Sequence, residues 1–205
     1  MLEFKLTDWI GKWDNFSNYI ESEDRYLVCT WEEADEAGKK MGGAFAMGVK
    51  KFWGMACDTA LGGYPEKITG WNITIPDSGE KESIHVEWIG KSDEVLFEGT
   101  YRVDEIVANG LEKKECFLFK TSAESPFKYL LAMKPMPERE ARLSGGLISH
   151  LHFQFAASKE VLVNGDSLVN NRWYPTMCDG EADLLEKCNI VRALHRMPKL
   201  DKLPE

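Results

Sequence analysis

Two histidines separated by one residue are the part of this sequence best suited to bind a metal ion. They lie in the run SHLHF at positions 149–153 of a chain of 205 residues. In a β-strand, side chains two residues apart point to the same face, about 6 to 7 Å apart, so His150 and His152 would present two imidazoles together. Imidazole nitrogens are common ligands of Zn²⁺. The pair therefore predicts a metal site, although the same spacing also fits two solvated or hydrogen-bonded histidines on a barrel wall.

A stable zinc site needs three or four protein ligands, so the sequence must supply at least one more. Glu138 and Glu140 precede the pair in the chain, and His85 lies on an earlier predicted strand. Met133 is a further candidate, but its thioether would suit Cu(I) better than Zn²⁺. His195, the fourth histidine, lies near the end of a predicted helix, where we expect a cation that offsets the helix dipole.

Motifs typical of enzymes are absent from the sequence. It contains no G-x-S-x-G, no H-E-x-x-H and no glycine pattern of a nucleotide-binding loop, so we expect a binding protein and not an enzyme. Seven tryptophans leave a second hypothesis open, because tryptophan can line a cavity for a small apolar or aromatic ligand as well as fill a core.

Charge and cysteine usage limit the partners and the compartment. The net charge of −9 disfavours binding to nucleic acid or to an anionic membrane surface. The five cysteines are scattered without a C-x-x-C pair, which indicates reduced thiols. The first residues, MLEFKLTD, lack the basic and apolar regions of a secretory signal, so we expect a cytoplasmic protein.

The hydrophobic period divides a single predicted domain, 1–205, into three segments. We predict a mainly helical segment at 1–64, with a capping box at Thr30 and a break near Gly42. A closing segment with a helix follows at 165–196, and the tail from Met197 onward should be poorly ordered. Between them, at 67–157, a period of two predicts a meander of strands at 68–75, 84–89, 95–103, 115–121, 127–133 and 148–156.

The short turns between these strands favour antiparallel neighbours, and a long antiparallel sheet tends to close. The fold class that we predict is therefore mainly β with helices. It consists of an antiparallel β-barrel with an N-terminal helical segment and a C-terminal helix.

Two parts of the sequence resemble the ZinT/YodA family, a group of bacterial zinc-binding proteins with a lipocalin-like calycin barrel. The run LTDWIGKW at 6–13 is similar to the family's opening L-[ST]-D-W-x-G-x-W, which contains the calycin G-x-W signature at Gly11 and Trp13. The elements KY at 128–129, SHLHF at 149–153 and WYP at 173–175 are similar to later family motifs in the same order. The resemblance covers most of the chain in outline.

This resemblance implies a calycin barrel in which Trp13 packs across one end. It also implies zinc binding, because the family holds Zn²⁺ with the H-x-H pair, matched here by His150 and His152, and a third histidine after the K-Y element. The stretch that follows Tyr129 contains no histidine before the pair. The function that we expect is therefore zinc binding, weakened or altered by the loss of the third histidine. The alternative is binding of a small apolar or aromatic ligand. Members of the family are usually exported, whereas we expect this chain to be cytoplasmic.

Overall fold

The structure, a computed structural model, describes residues 2–77, 79, 81–141 and 148–204. This part of the chain contains four α-helices and ten strands. The helices are α1 (Ser17–Ile20), α2 (Arg25–Met41), α3 (Val49–Ala56) and α4 (Leu184–Leu194). The strands are β1 (Gly11–Asn15), β2 (Gly70–Thr74), β3 (Ser83–Ile89), β4 (Val95–Val107), β5 (Cys116–Lys120), β6 (Tyr129–Met133), β7 (His150–Ala156), β8 (Val163–Asn164), β9 (Ser167–Leu168) and β10 (Thr176–Asp179).

Eight of the strands form a closed antiparallel barrel in the order β1-β10-β7-β6-β5-β4-β3-β2. β1 closes the barrel because it pairs on one side with β10 and on the other with β2, so that Trp13 lies opposite both Asp179 and Trp71. Closure pairs the strand edges that an open sheet would expose. The predicted antiparallel barrel is confirmed, and β8 and β9 form a separate hairpin.

The strands predicted from the period of two are all present, as β2 to β7, with ends that differ by a few residues. The prediction lacks β1 and β10, the strands that close the barrel. Each is short and mixes polar with apolar residues, with the sequences GKWDN and TMCD, so neither shows a clear alternation. β1 lies within 1–64, a segment that is otherwise mainly helical and carries α1, α2 and α3.

Aromatic side chains fill the barrel interior. Trp71 on β2 contacts Trp88 on β3 and Phe153 on β7, with ring centroids 5.2 and 4.5 Å apart. Phe127 and Phe155 extend the cluster, with ring centroids 4.5 and 5.2 Å from that of Trp88. Six of the seven tryptophans are 3% exposed or less. Core packing, one of the two roles considered for the tryptophans, is therefore confirmed.

A second hydrophobic cluster lies outside the barrel, among the helices. α2 begins at Arg25, where the Asp24 side chain caps it by accepting a hydrogen bond from the Tyr26 backbone N–H. The predicted capping box at Thr30 is wrong, since Thr30 lies inside α2 and its hydroxyl donates to the Tyr26 carbonyl at 2.7 Å. The predicted break is confirmed, because α2 ends at Met41 and the next residue, Gly42, has a φ of 71°, which is readily available only to glycine.

The C-terminal tail packs against α4. The Leu200 backbone N–H donates to Asn189 Oδ1 at 2.8 Å, and Asn189 Nδ2 donates to the Leu200 carbonyl at 3.0 Å. The expectation of a poorly ordered tail is therefore wrong for this part of it. All five cysteines are free thiols, as expected. Among the described residues, no helix is both long and apolar enough to cross a membrane.

Candidate metal centre

The H-x-H pair lies at the start of β7 and faces outward from the barrel. Leu151 and Phe153 alternate with the two histidines and are fully buried, and Phe153 contacts Trp71 on β2 across the interior. Because neighbouring side chains of a strand point to opposite faces, His150 and His152 lie on the outer wall. They are covered there by other parts of the chain, and only 12% of the His152 side chain is exposed.

His150 is oriented through its Nδ1 atom. This atom lies 3.1 Å from the carbonyl oxygen of Ile148. A carbonyl oxygen only accepts hydrogen bonds, so Nδ1 carries the ring proton and Nε2 keeps its lone pair. Burial lowers the pKa of His150, which favours the neutral imidazole that a metal ion requires.

His152 is oriented in the same way by Thr176, its partner in the register between β7 and β10. His152 Nδ1 lies 2.7 Å from Thr176 Oγ1, and the Thr176 hydroxyl donates its only proton to the Tyr174 carbonyl at 2.9 Å. Thr176 Oγ1 therefore accepts the bond from His152 Nδ1–H. In the neutral ring, Nε2 of His152 also keeps its lone pair.

Glu112 reaches His152 from a 3₁₀ turn at Leu111–Lys113, between β4 and β5. Its Oε1 lies 3.3 Å from His152 Nε2, and its Oε2 accepts a hydrogen bond from Lys114 Nζ at 2.9 Å. Donation from protonated His152, assisted by Lys114, lowers the pKa of Glu112 to about 2, so the carboxylate is charged at neutral pH. When His152 is neutral, its Nε2 and Glu112 Oε1 both carry lone pairs and face each other.

Met136 lies next to His150 and was not among the predicted ligands. The two backbones form an antiparallel bridge, with N–H to O=C hydrogen bonds of 2.8 and 3.2 Å. Lys114 Nζ lies 3.3 Å from Met136 Sδ and also contacts Glu112, so one ammonium group links the carboxylate and the thioether.

The separation of the two imidazoles tests how well the site fits a metal ion. Two imidazoles bound to one tetrahedral Zn²⁺ through bonds of about 2.0–2.1 Å have ring centroids about 5 Å apart. The ring centroids of His150 and His152 lie 6.1 Å apart, so the rings must approach each other by about 1 Å. As they stand, no three His, Cys, Asp or Glu side chains in the described residues form a group able to hold a metal ion.

A groove of about 370 Å³ lies beside two neighbours of His152. Glu112 and Tyr174 line it, and both contact the His152 side chain. Neither histidine lines the groove itself.

The other ligands predicted from the sequence lie in different surroundings. His85 is on β3, four strands from β7 in the barrel order. Met133 is buried at the end of β6, within the main hydrophobic cluster. Glu138 forms an ion pair with Lys134, and the side chain of Glu140 lies outside the described residues. None of the described three forms a hydrogen bond or an ion pair with either histidine, as Glu112 does with His152.

His195 is a core residue and not a surface cation. It is 1% exposed, its Nδ1 lies 2.7 Å from the Val191 carbonyl, and its Nε2 accepts a hydrogen bond from Trp53 Nε1 at 3.0 Å. Accepting that bond requires an unprotonated Nε2, and burial lowers the pKa of His195 accordingly. The expected interaction of a charged His195 with the helix dipole is therefore wrong.

The closed barrel of eight antiparallel strands with a helical layer outside it places the chain among calycin-like folds. Among solved structures, it is similar to the Zn(II)-bound ZinT-like domain of Streptococcus pneumoniae AdcA. The TM-score is 0.56 and the sequence identity 16%, over 95% of this chain and 91% of that one. No protein-family model matches the chain, and no characterised protein matches it in sequence. The chain thus has a ZinT-like fold, and the predicted calycin-like class is confirmed.

Proposed function

We propose that this protein binds a divalent transition-metal ion, with Zn²⁺ as the metal, through Nε2 of His150 and Nε2 of His152. One observation carries the proposal. Both imidazoles donate from Nδ1 to a fixed acceptor, the Ile148 carbonyl or the Thr176 hydroxyl, so each ring in its neutral form keeps its lone pair on Nε2. Histidines that ligate metals are held in this way, with the second ring nitrogen bonded to a protein acceptor that sets the tautomer.

Two further observations support zinc. The similar ZinT-like domain is Zn(II)-bound, and the fold that it shares with this chain extends over nearly the whole of both chains. Near neutral pH, the burial that lowers the pKa of His150 also leaves its imidazole free of a competing proton. We propose binding without catalysis, because the sequence carries none of the common motifs of hydrolases or metalloproteases.

The alternative, a small apolar ligand inside the barrel, is less well supported by the packing. The rings of Trp71, Trp88 and Phe153 contact one another across the interior, where such a ligand would have to lie. The alternative predicts a change in tryptophan fluorescence on addition of apolar or aromatic compounds and no response to metal.

Calorimetric titration of chelator-treated protein with Zn²⁺ tests the proposal. We expect a saturable heat with one ion per chain, and we expect it to be lost in the double variant His150→Ala/His152→Ala. His85→Ala is the matched control, since His85 also lies on a barrel strand but four strands away. The proposal fails if the native protein gives no saturable heat or if the double variant gives the native curve.

A further inference from the structure

We propose that Glu112 is the third protein ligand of this metal site, an inference that rests on the proposed function. Two imidazoles do not complete the shell of a zinc ion, which takes three or four protein ligands in most sites. Glu112 is the described carboxylate that directly contacts His152, with Oε1 3.3 Å from His152 Nε2. It comes from a turn between β4 and β5, remote in sequence from β7.

The distance between Glu112 and His152 equals the separation of two ligands on one ion. Atoms bound to a tetrahedral Zn²⁺ at about 2.0–2.1 Å lie about 3.3–3.4 Å from each other. Oε1 of Glu112 and Nε2 of His152 are 3.3 Å apart without any ion between them. The side chains are therefore already at a separation that two zinc ligands require.

The turn that carries Glu112 is held firmly in place. The Leu111 side chain is fully buried, and its backbone N–H donates to Cys116 Sγ at 3.2 Å. Glu112 and Lys113 have φ angles of 53° and 60°, in the left-handed region that residues other than glycine seldom adopt. Such backbone conformations persist where the surrounding structure imposes them, and they are concentrated at binding sites. The backbone from which the Glu112 side chain extends is therefore set by the fold.

The chemistry of this ligand set selects a divalent ion. Two neutral imidazoles and one carboxylate contribute one negative charge, which partly neutralises an ion such as Zn²⁺, and both ligand types suit zinc. Met136 would add a soft ligand suited to Cu(I), but Lys114 Nζ contacts its sulfur at 3.3 Å. With the thioether covered by an ammonium group, the nitrogen and oxygen ligands determine the preference.

A simpler role for Glu112 is an ion pair with protonated His152, and calorimetry separates the two. Metal-free Glu112→Gln is titrated with Zn²⁺ beside the native protein. If Glu112 is a ligand, affinity falls roughly 10- to 100-fold or more, because even the loss of a residue that only supports a ligand costs that much. If the carboxylate only pairs with a proton, its neutral amide leaves zinc affinity unchanged or raises it, which overturns the proposal.

Glu115→Gln is the matched control, since Glu115 is another exposed glutamate that follows the same turn. We expect its zinc affinity to be native. The Glu112 side chain is 42% exposed, so Glu112→Gln should fold, which thermal unfolding followed by circular dichroism verifies. As a second readout, the visible absorption of bound Co²⁺ should change in Glu112→Gln, because it reports the ligand set.

The failures of the two proposals are distinguishable. Native affinity in Glu112→Gln, together with loss of binding in His150→Ala/His152→Ala, refutes the assignment of Glu112 and leaves the histidine site standing. An absence of saturable zinc binding in the native protein refutes both.

Discussion

His152 donates a hydrogen bond from Nδ1 to Thr176 Oγ1 at 2.7 Å, and Thr176 in turn donates to the Tyr174 carbonyl at 2.9 Å. This short chain of bonds joins β7 to β10, the strand through which the barrel closes onto β1. It fixes both the tautomer and the orientation of the ring. The barrel closure and the proposed metal site therefore depend on the same pair of strands.

Replacing the hydroxyl of Thr176 should weaken zinc binding without unfolding the barrel. In Thr176→Val the Nδ1 proton of His152 loses its acceptor while the side-chain shape is kept, and we expect affinity for Zn²⁺ to fall roughly tenfold. Calorimetry measures the change. The matched control is Thr100→Val, because Thr100 Oγ1 makes the equivalent contact with His85 Nδ1, at 3.3 Å, away from the site. Equal affinities in the two variants would contradict this role for Thr176.

Removing the charge of Lys114 should strengthen zinc binding. Its ammonium group contacts the Glu112 carboxylate at 2.9 Å and would repel a divalent ion bound there. In Lys114→Gln we expect zinc affinity to rise roughly threefold at low ionic strength, with a smaller gain at high salt. Lys113→Gln, at the exposed neighbouring lysine, is the control. Weaker binding in Lys114→Gln would mean that Lys114 serves mainly to hold the carboxylate in position.

Stability should fall on acidification because of His195. Burial lowers its pKa in the folded protein from the ordinary value of 6.5, so the unfolded chain takes up the proton first as the pH falls. The stabilisation is complete above about pH 6.5 and declines below it, by up to about 1.4 kcal/mol per pH unit, until the folded-state pKa is reached. Urea unfolding at pH 7.5 and pH 5 measures the difference.

A glutamine at position 195 provides the comparison. Its amide can donate to the Val191 carbonyl and accept from Trp53 Nε1, as the neutral imidazole does, but it does not titrate. We expect His195→Gln to lose less stability than the native protein between pH 7.5 and pH 5. Part of the dependence should remain, since burial lowers the pKa of His150 as well. An identical pH dependence would show that His195 does not contribute.

The aromatic interior should be the main source of barrel stability near the site. Phe153 follows His152 on β7, and its side chain fills the barrel core on the opposite face of the strand. Phe153→Ala should lower the free energy of unfolding by about 3–5 kcal/mol, through lost burial and the cavity that remains. Ile75→Ala, at a side chain 63% exposed, should change it by about 0.5 kcal/mol or less. Similar values for the two variants would mean that the interior rearranges to fill the space.

The local pattern of residues was sufficient to predict β2 to β7 and the shared face of His150 and His152. Both follow from an alternation of polar and apolar side chains within one strand, which needs no knowledge of the rest of the fold. The runs GKWDN and TMCD lack that alternation, so β1 and β10 become strands because the closing barrel supplies their hydrogen-bond partners. From the sequence, His195 is predicted to be a cation at a helix end, because its burial depends on Trp53, which is distant in the chain.

The residue pattern alone was enough to predict the mainly β class and the two imidazoles of the candidate site. That the pair faces outward, that Thr176 orients His152 and that Glu112 contacts His152 became visible in the folded chain. A strand period is a local property of the chain, whereas a metal site is a convergence in space. Which loop reaches the start of β7 depends on the order and register of strands that are distant in sequence.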